Sequence, residues 1–136
     1  MSRKIARENA FKILFAVDLG DNTIEEAAEI AVTRPVDQVQ REFMFEEVKG
    51  VLANIKMIDS IIESYSVDWK VERIPAVDRN ILRLAIYEML FCEDIPVSVS
   101  INEAVEMAKK YGEQQSYKFI NGILGTVAKE RGKSVN

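Results

Sequence analysis

Apolar residues recur three and four positions apart along most of this chain, which is the spacing of one face of an α-helix. This pattern predicts a first helix from about Arg3 to Leu19, with Ser2 as its N-cap and Gly20 at its end. Its inward face is predicted to hold Ile5, Ala6, Ala10, Ile13, Leu14 and Val17. No segment alternates apolar and polar residues as a half-buried strand does, so the predicted fold class is all-α.

The middle of the chain predicts two further helices. A short helix from about Ile24 to Val32 ends at a turn containing Pro35, after which Asp37 caps a long helix from about Gln38 to Tyr65. Gly50 lies inside that helix and indicates either a bend or a close approach by another helix. The segment from 66 to 75 predicts a short irregular helix, with Trp69 in the core.

The last third of the chain has the clearest boundaries. One helix is predicted between Pro75 and Pro96, because proline suits a helix start and disfavours helical geometry in the residue before it. A second is predicted to open with a capping box formed by Ser100 and Glu103 and to close at Gly112. A third starts near 116, and its apolar face comprises Phe119, Ile120, Ile123, Leu124 and Val127.

These segments resemble the NusB family of bacterial transcription antitermination factors. The resemblance rests on VDRNILRLAIYEML from Val77, DIPVSVSINEAVEMAKKYG from Asp94 and SYKFINGIL from Ser116, and it extends to ARENAFKILF from Ala6. It covers essentially the whole chain, although Gly125 stands where the family often has an acidic residue. It implies about seven helices in a single domain over residues 1–136, with bundles at about 1–66 and 67–136. It also implies binding to boxA-type single-stranded RNA and to the ribosomal protein NusE within the RNA polymerase antitermination complex.

Composition narrows the function classes. The chain has 136 residues, 48% of them hydrophobic, which suits one domain with a proper core. It contains one cysteine and no histidine, so an internal disulfide is impossible and the commonest general base and metal ligand are missing. No stretch approaches the roughly 18 apolar residues that span a bilayer. We therefore expect a cytoplasmic protein without catalytic activity, metal or cofactor.

Charge is unevenly distributed along the chain. The formal net charge is -4, yet residues 1–12 and residues 118–136 each hold four basic residues against one acidic residue. If the first and last helices lie side by side, these two ends would form one basic patch suited to phosphates. Solvated basic termini are the alternative.

Two groups of residues are candidates for RNA binding. Arg3 and Arg7 are one helical turn apart and Lys4 is adjacent, and they match the arginine-rich start of the NusB family. Tyr117 beside Lys118 suits stacking on an unpaired base with a phosphate contact. The full predicted set is Arg3, Lys4, Arg7, Lys12, Tyr117, Lys118 and Asn121.

The candidates for the protein partner are Tyr87, Glu88, Glu93 and Asp94. Acidic groups at a helix C-terminus oppose the helix dipole, and the resemblance implies that this helix and the following loop face the basic partner. One other function stays open, a helical adaptor that binds protein without RNA. An enzyme in which Glu103 and Glu106 form half of a metal site is disfavoured, because Glu103 already has a role in the predicted capping box and the chain has no histidine. Oligomeric state also stays open, because an apolar-edged helix suits either a core or a homodimer.

Overall fold

The computed structural model describes residues 3–67 and 69–131, which form seven α-helices and one short 3-10 helix. The α-helices are α1 Lys4–Leu19, α2 Ile24–Ala31, α3 Gln38–Ala53, α4 Ile55–Tyr65, α5 Ala76–Phe91, α6 Val97–Tyr111 and α7 Ser116–Arg131, and the 3-10 helix is Val71–Arg73. No strand occurs among the described residues, so the all-α prediction is confirmed. The predicted caps Asp37 and Gly112 lie at helix ends, whereas the Ser2 cap falls outside the described residues.

The single long helix predicted from Gln38 to Tyr65 is wrong, because Asn54 divides it into α3 and α4. The Asn54 side-chain amide donates to the Gly50 carbonyl oxygen at 2.8 Å, and its backbone N–H donates to Gly50 and Val51. Asparagine side chains compete with helical hydrogen bonding in this way. The chain can therefore change direction at Asn54.

The predicted capping box at Ser100 is also wrong. Helix α6 starts one turn earlier, at Val97 directly after Pro96, and Ser100 is buried inside its first turn. The Ser100 hydroxyl donates to a carboxylate oxygen of Glu88 at 2.7 Å instead of capping a helix. A capping box does occur at α2, where Thr23 and Glu26 bond reciprocally.

Gly50 permits the close approach of α3 to α5. A Cβ atom at this position would overlap the ring of Tyr87. The alternative that a bend occurs at Gly50 is not needed, since the break lies four residues later at Asn54.

Helix α5 is the central element of the fold. It packs against five other helices, α1, α3, α4, α6 and α7. Its buried apolar side chains include Ile81, Leu82, Leu84, Ile86 and Met89. Among the described residues, no helix is long and apolar enough to cross a membrane.

Two predicted core residues lie at the surface. Ile5 is 66% exposed on the outer face of α1, and Trp69 is 49% exposed. Trp69 instead lines a cavity of about 240 Å³ together with Phe119 and the buried Asp78. Burial raises the pKa of the Asp78 carboxyl, and one of its oxygens has no hydrogen-bond partner among the described residues.

Candidate nucleic-acid interface

Arg7 and Glu88 form a buried ion pair between α1 and α5. The Nε atom of Arg7 donates to Oε2 of Glu88 at 2.7 Å, and the two side chains are only 7% and 1% exposed. Burial alone would lower the pKa of Arg7, but the hydrogen bond and charge of Glu88 raise it. The pair therefore positions α1, and neither residue presents its charge to a ligand. Their burial argues against the surface roles predicted for them, Arg7 as a phosphate contact and Glu88 as a contact for the partner.

A second carboxyl, Glu47 of α3, lies beside this pair. Burial and the neighbouring Glu88 carboxylate raise the pKa of Glu47 to about 11. Glu47 is only 1% exposed, and a hydrogen bond between its carboxyl and that of Glu88 favours the protonated form. At neutral pH Glu47 is therefore protonated, which leaves one positive and one negative charge in the cluster.

Arg3 and Lys4 are the accessible cations at the start of α1. The Nη1 atom of Arg3 lies 3.3 Å from Oδ2 of Asp94, and its guanidinium lies 4.3 Å from the centre of the Phe43 ring. Lys4 Nζ is 3.5 Å from Oε1 of Glu103. Exposed pairs of this kind contribute little stability, so a phosphate can replace the carboxylates at small cost.

A strip of alternating lysines and tyrosines connects α1 to α7. Lys12 and Lys110 lie 5.7 and 5.3 Å from the centre of the Tyr111 ring, while Lys109 and Lys118 lie 5.3 and 6.0 Å from that of Tyr117. We call these six residues the lysine–tyrosine strip. Such a surface suits single-stranded RNA, because lysines meet phosphates and aromatic rings stack on bases.

The strip joins the two groups of RNA candidates through α6, a helix that holds none of the predicted RNA residues. Helix α1 packs mainly against α2, α3 and α5, and α7 packs against α4, α5 and α6, so the two helices do not lie side by side. The C-terminal end of α6 is held against α1 by Tyr111, whose hydroxyl donates to Glu8 at 3.1 Å. Lys109, Lys110 and Tyr111 are consecutive just before Gly112. A cluster of basic and aromatic residues is a signal for RNA binding, so the sequence could have added these three residues to the RNA candidates.

The remaining predicted RNA residue, Asn121, is exposed on the outer face of α7. Gly122 and Gly125 share that outer region, where an added Cβ atom would meet no neighbour within 4 Å. The basic residue Lys133, which contributed to the predicted basic C-terminus, lies outside the described residues.

Three of the four residues predicted for the partner surface are accessible. Glu93 and Asp94 are exposed after the end of α5, and Tyr87 is half-buried. The Tyr87 ring stacks on Phe91 with centres 5.4 Å apart, and Phe91 is 43% exposed. Phe91 therefore adds an apolar contact to this acidic surface, which adjoins the RNA candidates through the Arg3–Asp94 pair.

Comparisons with known proteins place this geometry in context. The model of the NusB family matches residues 4–129. The transcription antitermination protein NusB of Bacillus subtilis (strain 168) is 45% identical over 93% of this chain and 95% of its own length. The protein of the same name from Pelotomaculum thermopropionicum is 48% identical, over 93% of this chain and 89% of its own length.

Solved structures agree with the sequence relatives. T. maritima NusB has a TM-score of 0.91 and 40% sequence identity, over 98% of this chain and 94% of that one. A crystal structure of the antitermination factors NusB and NusE in complex with dsRNA contains a chain with a TM-score of 0.85 and 30% identity. That match covers 93% of this chain and 96% of the other.

Proposed function

This chain belongs to the NusB family, and on that basis we propose that it is a transcription antitermination factor that binds boxA-type RNA together with the ribosomal protein NusE. It acts in the cytoplasm as part of the RNA polymerase antitermination complex and supports transcription of ribosomal RNA. Its role is to bind, and it has no catalytic step of its own.

The lysine–tyrosine strip is the observation that carries the RNA-binding proposal. It holds four ammonium groups and two aromatic rings, and each ring has lysines within 6.0 Å of its centre. Lys110 and Lys109 also pair with Glu8 and Glu106, at 3.0 and 3.8 Å, and both lysines are exposed enough for a phosphate to replace these carboxylates. Arg3 and Lys4 extend the positive charge along α1. The formal net charge of -4 suppresses nonspecific attraction elsewhere on the molecule, so an RNA strand is directed to the basic residues.

The partner surface lies next to the RNA surface. Asp94 belongs to the predicted partner surface and Arg3 to the RNA surface, and their side chains are 3.3 Å apart. A basic partner that takes Asp94 as its ion-pair acceptor therefore releases Arg3 for a phosphate. Each weak RNA contact then gains from the effective concentration that the partner provides.

Calorimetric titration tests this proposal. BoxA-type single-stranded RNA is titrated into the protein alone and into the protein saturated with NusE, and a double-stranded RNA of the same sequence is titrated in parallel. We expect NusE to strengthen single-stranded RNA binding by about 5- to 150-fold, and RNA to strengthen NusE binding equally, because binding linkage is reciprocal. Absence of RNA binding in every titration would contradict the proposal and favour the adaptor that binds protein alone.

A further inference from the structure

A cavity of about 560 Å³ lies between α1, the loop that joins α2 to α3, and the end of α6. Its lining includes Ile5, Asn9 and Lys12 of α1, Arg34 of the loop and Lys110 of α6. Small-molecule sites in proteins usually measure about 300–1,000 Å³, so the cavity is large enough for a ligand.

Asn9 indicates the kind of group that the cavity accepts. It is only 8% exposed, yet its side chain makes no hydrogen bond within the described residues. A carboxamide offers both donors and an acceptor, and Asn9 presents this group on the wall of the cavity. A planar ligand edge that carries both donors and acceptors, as nucleobases do, would satisfy it.

The charges around the cavity favour an anion. The two acidic side chains in its lining already have partners: Glu8 accepts from Lys110 Nζ at 3.0 Å, and Asp37 accepts from the backbone N–H of Gln40 at 2.9 Å. In contrast, Arg34 makes no ion pair or hydrogen bond within the described residues. Arg34 and Lys12 can therefore both bind a phosphate.

We infer that this cavity is a nucleotide subsite, which holds one unstacked nucleotide of the bound RNA with its base at Asn9 and its phosphate between Lys12 and Arg34. This inference rests on the proposed function. Lys12 and Lys110 also belong to the lysine–tyrosine strip, so a strand bound along the strip reaches the cavity without a break. Ile5 and Val36 supply apolar walls for the base.

An abasic scan of the RNA tests the inference. BoxA-type single-stranded RNA is prepared with one abasic nucleotide at each position in turn, and affinity is measured for the unchanged protein and for Asn9→Ala. In the unchanged protein, we expect one abasic position to weaken binding by about 5- to 150-fold, the effect of losing one bound base. Asn9→Ala should bind intact RNA more weakly. At the same position, an abasic nucleotide should weaken RNA binding by this variant only slightly, whereas the effects at all other positions should be unchanged.

Two further variants keep the test independent of Asn9. Thr33 is exposed on the loop and lines the cavity, so Thr33→Trp should narrow the cavity and behave like Asn9→Ala. Arg34→Ala should lower the salt dependence of RNA binding by the amount expected for one phosphate, whereas Arg73→Ala, an exposed arginine on the 3-10 helix, should not.

Equal sensitivity of the unchanged protein, Asn9→Ala and Thr33→Trp at every abasic position would overturn the subsite while leaving RNA binding intact. If the unchanged protein binds no RNA, both the subsite and the proposed function are wrong.

Discussion

The guanidinium of Arg7 and the carboxylate of Glu88 meet at 2.7 Å in the interior, although 81 residues separate them along the chain. Ser100 donates to the other oxygen of the same carboxylate, so three helices, α1, α5 and α6, share one polar contact. The contact fixes the position of α1, and the exposed cations Arg3 and Lys4 lie at the start of this helix.

Replacement of Arg7 by alanine should strongly destabilise the fold. Removal of one partner leaves the other charge buried without compensation, which costs about 3–5 kcal/mol. Chemical denaturation would measure this loss. Arg3→Ala, which breaks the exposed arginine–carboxylate pair with Asp94, is the matched control and should cost about 0–1 kcal/mol. Similar losses in the two variants would contradict the structural role of Arg7.

Replacement of Glu47 by glutamine should remove a pH-dependent destabilisation. The pKa of Glu47 is about 11 in the folded protein against an ordinary value of 4.5, so the folded state holds a proton that the unfolded state releases. The stability that this proton contributes is fully present below pH 4.5 and is lost as the pH rises toward 11.

Thermal melting at several pH values would test this expectation. Glu47→Gln should exceed the unchanged protein in melting temperature at about pH 8, and the two should converge near pH 5. Glu46→Gln alters an exposed neighbour and should leave the profile unchanged. Parallel profiles for the unchanged protein and Glu47→Gln would show that Glu47 ionises normally.

Replacement of Gly50 by alanine should destabilise the protein even though alanine favours helices. The new Cβ atom overlaps the Tyr87 ring, and overpacking costs about 1–3 kcal/mol against a helix gain of about 0.5–1 kcal/mol. In a Tyr87→Leu background the ring is gone, so the same substitution should become neutral or stabilising. A double-mutant cycle measures this coupling, and additive effects would argue against a close contact.

Local signals in the sequence were sufficient to predict most helix boundaries. Proline, glycine and Asp37 act on the backbone next to them, so their effect does not depend on the rest of the fold. Ser100 shows the limit, because its hydroxyl bonds to Glu88 on another helix. Nothing within its own helix distinguishes that use from an N-cap.

The same limit applies to the candidate site. Arg3 and Arg7 are one turn apart, and their exposure differs because Glu88 of α5 meets Arg7 alone. The lysine–tyrosine strip likewise requires the end of α6 to lie between α1 and the start of α7, an arrangement that helical periodicity cannot reveal.

Removal of the exposed cations should weaken RNA binding and reduce its salt dependence. Two double variants test this: Arg3→Ala with Lys4→Ala, and Lys109→Ala with Lys118→Ala. In each, the slope of the logarithm of the binding constant against the logarithm of the salt concentration should become shallower by about 0.7 for every phosphate that is no longer bound. Folding should be preserved, because all four side chains are exposed. Binding is measured by fluorescence anisotropy over a range of salt concentrations. Lys56→Ala, an exposed lysine of α4, is the control, and an equal change there would indicate a general charge effect.

Charge reversal after α5 should impair binding of NusE more than binding of RNA alone. Glu93→Lys with Asp94→Lys places two positive charges against a basic partner, so attraction becomes repulsion, and the effect should appear mainly in the association rate. Surface plasmon resonance at low and high salt would measure it. Glu25→Lys with Glu29→Lys changes the net charge equally on the exposed face of α2 and should leave NusE binding intact.

Because Asp94 pairs with Arg3, the variant with Glu93→Lys and Asp94→Lys also frees Arg3 and should hold RNA alone at least as tightly as the unchanged protein. If it loses RNA and retains NusE, the assignment of the two surfaces is reversed.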